Sequence, residues 1–411
     1  MSAPPTANQP LDSQCVYPTL ADRRCRPLLF GVYARAGLWL RRAAKWHHDR
    51  HGPAITVECA HLPRNILALP RRQQERDPAL MAVIYRDSDA NLGVLMDRTL
   101  AVLGYGNMGR PLALNLRDSA FPVLIGNRSD EYAAQAYHDG FEVVALPEAA
   151  RRADLMFLMV PDELAPQIYL TSVAPSLKRG DTLVFASGYN IAFGLIEPPP
   201  FVDVVLVAPQ STGEGVREGY VAGTGFPSFV AVAQDASGQA WPRVLGVAKA
   251  LGALHRGAVE LTFQQEAELD LFSQQAVLPA LHSVLQTAIE VLSREGFPPE
   301  AIYSSLYLSG ELGFIVSKWA ERGILPSMQT HSLTSQYGTL SRMARFKEVK
   351  LTRQMEGVLD SIRRGDFAQE WADEYADGYP RLEALRRRWE SMPVWQEEQA
   401  ALDALRRGET G

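Results

Sequence analysis

Apolar residues in this chain keep two different rhythms. Between residue 81 and about 260, short apolar runs at 99–103, 122–125, 141–144, 155–160, 182–186, 203–208 and 228–233 alternate with stretches of helical period. Continuous apolar runs of this length are the mark of buried parallel strands, so the alternation predicts an α/β fold with a doubly wound parallel sheet. Beyond Thr262 the strand signals stop. Four longer segments of 3.6-residue period follow, at 264–295, 299–322, 336–364 and 367–384, with a charged tail. They predict a separate all-helical domain. Two stretches in it, 276–281 and 312–316, are apolar on more than one helical face, which fits burial against a second subunit as a homodimer or higher oligomer.

One stretch stands out within the α/β half. Residues 98–128 read RTLAVLGYGNMGRPLALNLRDSAFPVLIGNR, an apolar run, a glycine turn, a helical pattern and a second apolar run. In a βαβ unit of this kind Gly104 makes the turn, Gly106 lets backbone approach a pyrophosphate, and Gly109 packs helix on strand, with the helix N-terminus facing the anion. Gly104, Tyr105, Gly106, Asn107, Met108 and Gly109 are therefore expected to bind a dinucleotide, which makes this a Rossmann domain. After the second strand come Arg128 and Ser129, which suit a ribose 2′-phosphate, and then Asp130 and Glu131, which oppose one. NADPH is the expected cofactor, with NADH possible. Ligands of such sheets gather at the carboxyl ends of strands, where Val160-Pro161-Asp162, 186–190 and 207–210 lie; Pro161 and Asp162 are expected beside the cofactor.

Charge divides the chain again. Residues 1–80 carry a net +6 against −12 for the remainder, hold all three cysteines (Cys15, Cys25, Cys59) and four of the eight histidines, and show no sustained period. They are expected to be an N-terminal extension, mostly disordered, ahead of a Rossmann domain at 81–260 and a helical domain at 261–411. With no cysteine after residue 80, thiol catalysis and thiolate metal sites are excluded there. The net charge of −6 gives no reason to expect nucleic acid. No run approaches the ~18 apolar residues of a membrane span, and no signal peptide is evident, so a cytoplasmic protein that does not engage membranes is expected.

The order of motifs from 81 to about 388 resembles one family, the ketol-acid reductoisomerases of the short type with a single helical domain. MAVIYRDSDANLGVLMDRTLAVLGYGNMG looks like that family's N-terminus. LNLRDS, MVPDE and DVVLVAPQSTGEGVREGYVAGTGFPSFVAVAQDASG follow in family order. TFQQEAELDLFSQQAVL resembles its TTFKEETETDLFGEQAVL, and HSLTSQYG resembles its ISNTAEYG. The resemblance implies an NAD(P)H-binding Rossmann domain, a knotted helical domain and a dimer with shared active sites. It also implies a reaction in which two Mg²⁺ ions support an alkyl migration in a 2-acetohydroxy acid, followed by hydride reduction.

The catalytic positions depart from that pattern. The family's metal cluster uses two i,i+4 carboxylate pairs, because that spacing sets both oxygens on one helix face. Here the pairs read Asp270 with Gln274, and Tyr307 with Glu311. Asp270 and Glu311 remain as metal and catalytic candidates, and two carboxylates should hold at most one Mg²⁺, weakly. The family's His in AHGF is Ser187, and its Lys in APK is Gln210; neither replacement supplies a base or a cation near neutral pH. Ser332 matches the substrate-binding serine, with His331 beside it, and Met108 stands where the family usually has Gln. The expected function is an NAD(P)H-dependent reductase of a small keto or imino acid that lacks the migration step. The alternatives are a genuine reductoisomerase of branched-chain amino-acid biosynthesis and a non-catalytic NAD(P)-binding protein.

Overall fold

The structure is a computed structural model that describes residues 82–346 and 349–406; the extension expected over 1–80 lies outside the described residues. Nine strands make one sheet in the order β1-β9-β8-β7-β6-β5-β2-β3-β4. They are β1 (Ile84–Tyr85), β2 (Leu100–Leu103), β3 (Val123–Gly126), β4 (Glu142–Val144), β5 (Leu155–Leu158), β6 (Thr182–Phe185), β7 (Asp203–Pro209), β8 (Ser228–Gln234) and β9 (Ala258–Glu260). Around them pack α1 (Gly109–Asp118), α2 (Glu131–His138), α3 (Leu146–Arg152), α4 (Ala165–Ile168), α5 (Tyr189–Ala192), α6 (Gly213–Val221) and α7 (Ala240–Leu251).

The alternation along β2 shows why both faces are covered. Leu100 and Val102 belong to one core, with Leu112, Leu116, Val244 and Leu251, whereas Ala101 and Leu103 belong to the other, with Ala149, Ala150, Tyr169 and Val173. The expected doubly wound parallel sheet is present, with two antiparallel pairs added to it. β7 pairs with β8, and β1 with β9, antiparallel; the other six neighbours are parallel. β1 and β9 have two and three residues, too few to show a period in sequence.

A buried ion pair fixes the amino ends of the central strands. Arg243 of α7 donates from Nη1 to Asp203 Oδ2 at 2.6 Å, to Thr182 Oγ1 at 3.0 Å and to the Gly180 carbonyl at 3.0 Å. Asp203 is fully buried and also accepts from Ala236 N, Ser237 N and Ser237 Oγ. Every charge here has partners, which is what makes its burial tolerable.

The helical half begins at Thr262, whose hydroxyl and Gln265 form a capping box. One continuous helix then runs through α8 (Phe263–Phe272), a π turn (Ser273–Val277) and α9 (Leu278–Arg294). By length and mean composition it is long and apolar enough to cross a membrane, although no unbroken apolar run in it approaches 18 residues. Polar Gln274, Gln275 and Gln286 punctuate it, and Leu278, Leu281 and Val284 stay exposed on this chain. The remaining segments are more broken than their periodicity suggests. The expected 299–322 helix divides into α10 (Pro299–Tyr303), a π turn and α11 (Glu311–Arg322), because Gly310 takes a φ of +80° that ends the helical path. After α12 (Ile324–Met328), the expected 336–364 helix becomes α13 (Leu333–Met343) and α14 (Val349–Arg364). The 367–384 segment becomes α15 (Asp366–Ala376) and α16 (Pro380–Glu390), since Pro380 opens a helix rather than continuing one; α17 (Pro393–Arg406) closes the chain's described part.

Removing one partner of the buried pair should expose how much the sheet depends on it. Arg243→Ala is expected to lower unfolding free energy by about 3–5 kcal/mol in a denaturant titration. A loss below about 1 kcal/mol would show that Asp203 is satisfied by its loop donors alone.

Candidate functional site

The glycine turn is built by close approach. Gly104 has a φ of +100°, and a Cβ there would strike the Met159 carbonyl, while one on Gly109 would strike the Gly104 carbonyl. Those contacts lock β2, β5 and α1 together. A Cβ on Gly106, by contrast, would meet nothing within 4 Å, so its backbone has an open face. The turn also lies at the switch point of the sheet, where β2 has β5 on one side and β3 on the other. Tyr105 is turned inward: its ring packs edge-on against Phe141, and its hydroxyl donates to Asp139 Oδ2 at 2.8 Å. Its side chain is therefore turned away from the glycine turn's open face, and only its backbone is left for the expected dinucleotide. Asn107 is exposed at the turn, and Met108 packs against the core.

After β3, Asp130 does something other than its charge alone suggests. Its Oδ1 caps α2, accepting from Tyr132 N and Ala133 N at 3.1 Å and from Asn127 Nδ2 at 2.8 Å; its Oδ2 accepts from Arg128 Nε at 2.6 Å. Burial opposes its ionisation, but the Arg128 guanidinium and the two amides prevail and hold the carboxyl below the usual range. Asp130 is thereby occupied as cap and counter-ion, and Ser129 beside it is exposed.

A cleft opens between the carboxyl ends of β5 and β6 and the first long helix. It brings together Asp162, Ser187, Asp270 and Gln274 with Glu163 and Tyr189, and its far wall is Phe367 and Trp371. Asp162 keeps a face open to solvent and accepts from Asn190 Nδ2 at 3.0 Å. Burial among protein atoms, then Glu163 and Asp270, push its carboxyl up to about 6. Asp270 Oδ2 accepts from Gln274 Nε2 at 2.9 Å, and desolvation raises its pKa above the ordinary value despite that bond. Beneath them lies a group that sequence reasoning missed. Glu266, 4% exposed, accepts from the Gly188 backbone N–H at 2.6 Å. Desolvation, reinforced by Asp270 and Asp162, raises it to about 7 even though the Gly188 bond works against the shift. The signal was its i,i+4 spacing from Asp270, which sets both carboxylates on one face of α8.

Other candidates stay outside this cleft. Gln210 follows β7, next to the strand that Ser187 follows, and its backbone N–H donates to the Pro227 carbonyl at 2.8 Å. Glu311, the first residue of α11, is exposed, as is Ser332, whose Oγ caps α13 by accepting from Ser335 N at 3.2 Å. Tyr307, standing at a family carboxylate position, donates its hydroxyl to Glu398 of α17. Among the described residues no group of three or more His, Cys, Asp or Glu side chains is placed to hold a metal. Asp270 with a carboxamide neighbour therefore does not make a two-ion magnesium site from one chain.

The raised Glu266 carboxyl has a consequence for stability. Between its ordinary 4.5 and about 7 the folded state holds a proton that the unfolded chain has released, so stability should fall as pH rises through that window. The full difference corresponds to about 3 kcal/mol. Glu266→Gln keeps an acceptor for Gly188 and should flatten most of the slope in denaturation curves taken from pH 5 to 8; an unchanged slope would assign it to other groups.

Comparison with known proteins agrees with this arrangement. The family model described as acetohydroxy acid isomeroreductase, NADPH-binding domain, matches residues 94–257, and ketol-acid reductoisomerase, C-terminal domain, matches 263–406. The chain is 40% identical over 316 residues to ketol-acid reductoisomerase (NADP(+)) of Pyrobaculum calidifontis, covering 76% of this chain and 96% of the relative. It is 42% identical over 318 residues to the enzyme of that name from Methanopyrus kandleri, covering 76% and 95%. An NADH-preferring ketol-acid reductoisomerase from an uncultured archean superposes with a TM-score of 0.74 at 35% identity, covering 77% of this chain and 98% of that one. The cofactor is accordingly NADPH, with NADH as a possible substitute, and the chain is an NAD(P)H-dependent oxidoreductase. With both domain models matched in order, it belongs to the ketol-acid reductoisomerase family.

Proposed function

We propose that the chain acts as a ketol-acid reductoisomerase on 2-acetohydroxy acids, reducing the carbonyl of the rearranged 2-keto-3-hydroxy acid with NADPH. The observation that carries this reading is the full-length match to curated relatives of that activity, 96% of the Pyrobaculum enzyme at 40% identity. NADPH supplies the hydride when bound. Gly106 and the α1 N-terminus would take its pyrophosphate, Arg128 and Ser129 its 2′-phosphate, and Pro161 and Asp162 would border the nicotinamide end. Ser187, Asp270 and Gln210 would face the substrate. A second copy of the chain completes the site in this reading: Glu311 and Ser332 lie on exposed helices among exposed apolar side chains such as Phe314, Val316 and Leu333, a surface suited to a homodimer.

A second reading, reduction without alkyl migration, is favoured by one specific observation. Gln274 and Tyr307 stand where carboxylates would share the metals, and Tyr307 is committed to Glu398. Migration needs concentrated charge stabilisation, and each lost contact of that kind removes about two orders of magnitude in rate. Hydride transfer to a ready-made keto acid makes a smaller demand.

NADPH absorbance, followed with 2-acetolactate and with the pre-isomerised keto acid in Mg²⁺ and in EDTA, separates the two. Mg²⁺-dependent oxidation with acetolactate is the expected outcome of the first reading. Turnover of the keto acid alone moves the assignment to the second, and silence with both overturns reduction of this substrate class. For the cofactor, Arg128→Ala should weaken NADPH about tenfold while leaving NADH nearly unchanged, as loss of one charge-assisted phosphate contact predicts. Equal losses in fluorescence titrations would place the 2′-phosphate elsewhere.

A further inference from the structure

One wall of the cleft carries a tyrosine whose buried hydroxyl neither domain core uses. Tyr189 is 6% exposed, and its ring is fixed by an edge contact with Phe193 at 5.2 Å and by packing with Leu271, Ile362 and Trp371. Its hydroxyl oxygen is buried, yet among the described residues it has no hydrogen-bond partner. A buried phenol left unpaired is a liability, and tyrosines in such places ordinarily find an acceptor. This one lines the cleft beside Asp162, Ser187 and Asp270.

Sequence context gives the position a meaning. Where the family motif reads AHGF, this chain reads Ala186-Ser187-Gly188-Tyr189. The histidine has been lost, and a hydroxyl has appeared two residues further on, where phenylalanine has none. The turn that carries it is not free to drift, because Gly188 N–H is held by Glu266 and Tyr189 N–H by Ser187 Oγ at 3.2 Å.

We propose that Tyr189 is a substrate-binding residue of this chain, its hydroxyl donating a hydrogen bond to the carbonyl oxygen of the keto acid and to the negative charge that grows there as the carbonyl is reduced. The donor is preorganised by its packing, so little reordering is needed when charge develops. Burial, with Asp162 and Glu163 nearby, raises the pKa of the phenol well above its ordinary value, so it keeps its proton throughout the neutral range and can donate it in a hydrogen bond. The other side chains lining the cleft include four acidic or amide groups and no lysine or arginine. Tyr189 is thus a neutral donor in a site that lacks a cationic one.

The inference rests on the reading that a keto acid is reduced here, and Tyr189→Phe in the full chain tests it. Because the hydroxyl has no partner among the described residues, the substitution should leave Tm unchanged or raise it, and NADPH affinity should hold within about twofold. With the pre-isomerised keto acid, kcat/KM should fall about 100-fold, the effect of removing one donor to a developing oxyanion. A sharp fall in Tm would make the hydroxyl structural and overturn the proposal, as would wild-type kcat/KM in a stable variant. Should the wild type itself be silent with that acid, the proposed reaction fails. Calorimetric titration of the NADP⁺ complex with the 2,3-dihydroxy acid then decides on Tyr189 separately: weaker binding by the variant than by the wild type supports it, and equal affinity or no binding by either overturns it.

Discussion

One hydrogen bond joins the two halves of the chain at the place where chemistry is expected, the 2.6 Å contact from Gly188 N–H to Glu266. Gly188 follows the end of β6, and Glu266 sits one turn into α8, the first helix after the sheet. The capping box at Thr262 and Gln265 fixes where that helix starts, immediately beyond β9, so its second turn falls under the strand ends. Ser187, Tyr189 and Asn190 take their positions from the same turn, and Asn190 in turn steadies Asp162. A buried carboxylate serving as a backbone acceptor is expensive to keep ionised, which is why its acidity is displaced.

That displacement extends across the cleft. Asp162, Glu163 and Asp270 line it, Glu266 lies beneath them, and no basic side chain lines it. Carboxylates in such company hold their protons more tightly: burial, then Glu163 and Asp270, push Asp162 up to about 6. The cleft can therefore offer both donors and acceptors to a ligand rich in oxygen. An anionic substrate entering it needs either those protons or a cation carried in with it.

Much of this was legible in the sequence, and the limits have physical causes. The glycine turn, the strands β2 to β8 and the change of rhythm after Thr262 are visible because continuous burial and helical faces impose periods that survive divergence. β1 and β9 escaped notice because edge strands of two or three residues carry no period, and the helix breaks at Gly310 and Tyr379-Pro380 were hidden by apolar spacing that continues through them. Asp130 was weighed by charge alone, whereas its role is set by cap geometry that only coordinates reveal. Asp162, Ser187 and Asp270 do meet, although they are far apart in the chain. Glu311 and Ser332 do not join them within one chain, and no pattern along a single sequence states which side chains a symmetric partner would contribute.

Tyr307 has a bearing on how the end of the chain is held. Its hydroxyl is bonded to Glu398, and its ring stacks edge-on against Tyr303, whose own hydroxyl donates to the Val394 carbonyl, so the position now staples α17 to the rest of the helical half. A carboxylate at this position would lose the bond to Glu398 and face its charge instead. A change here is therefore felt in α17 before it reaches the cleft.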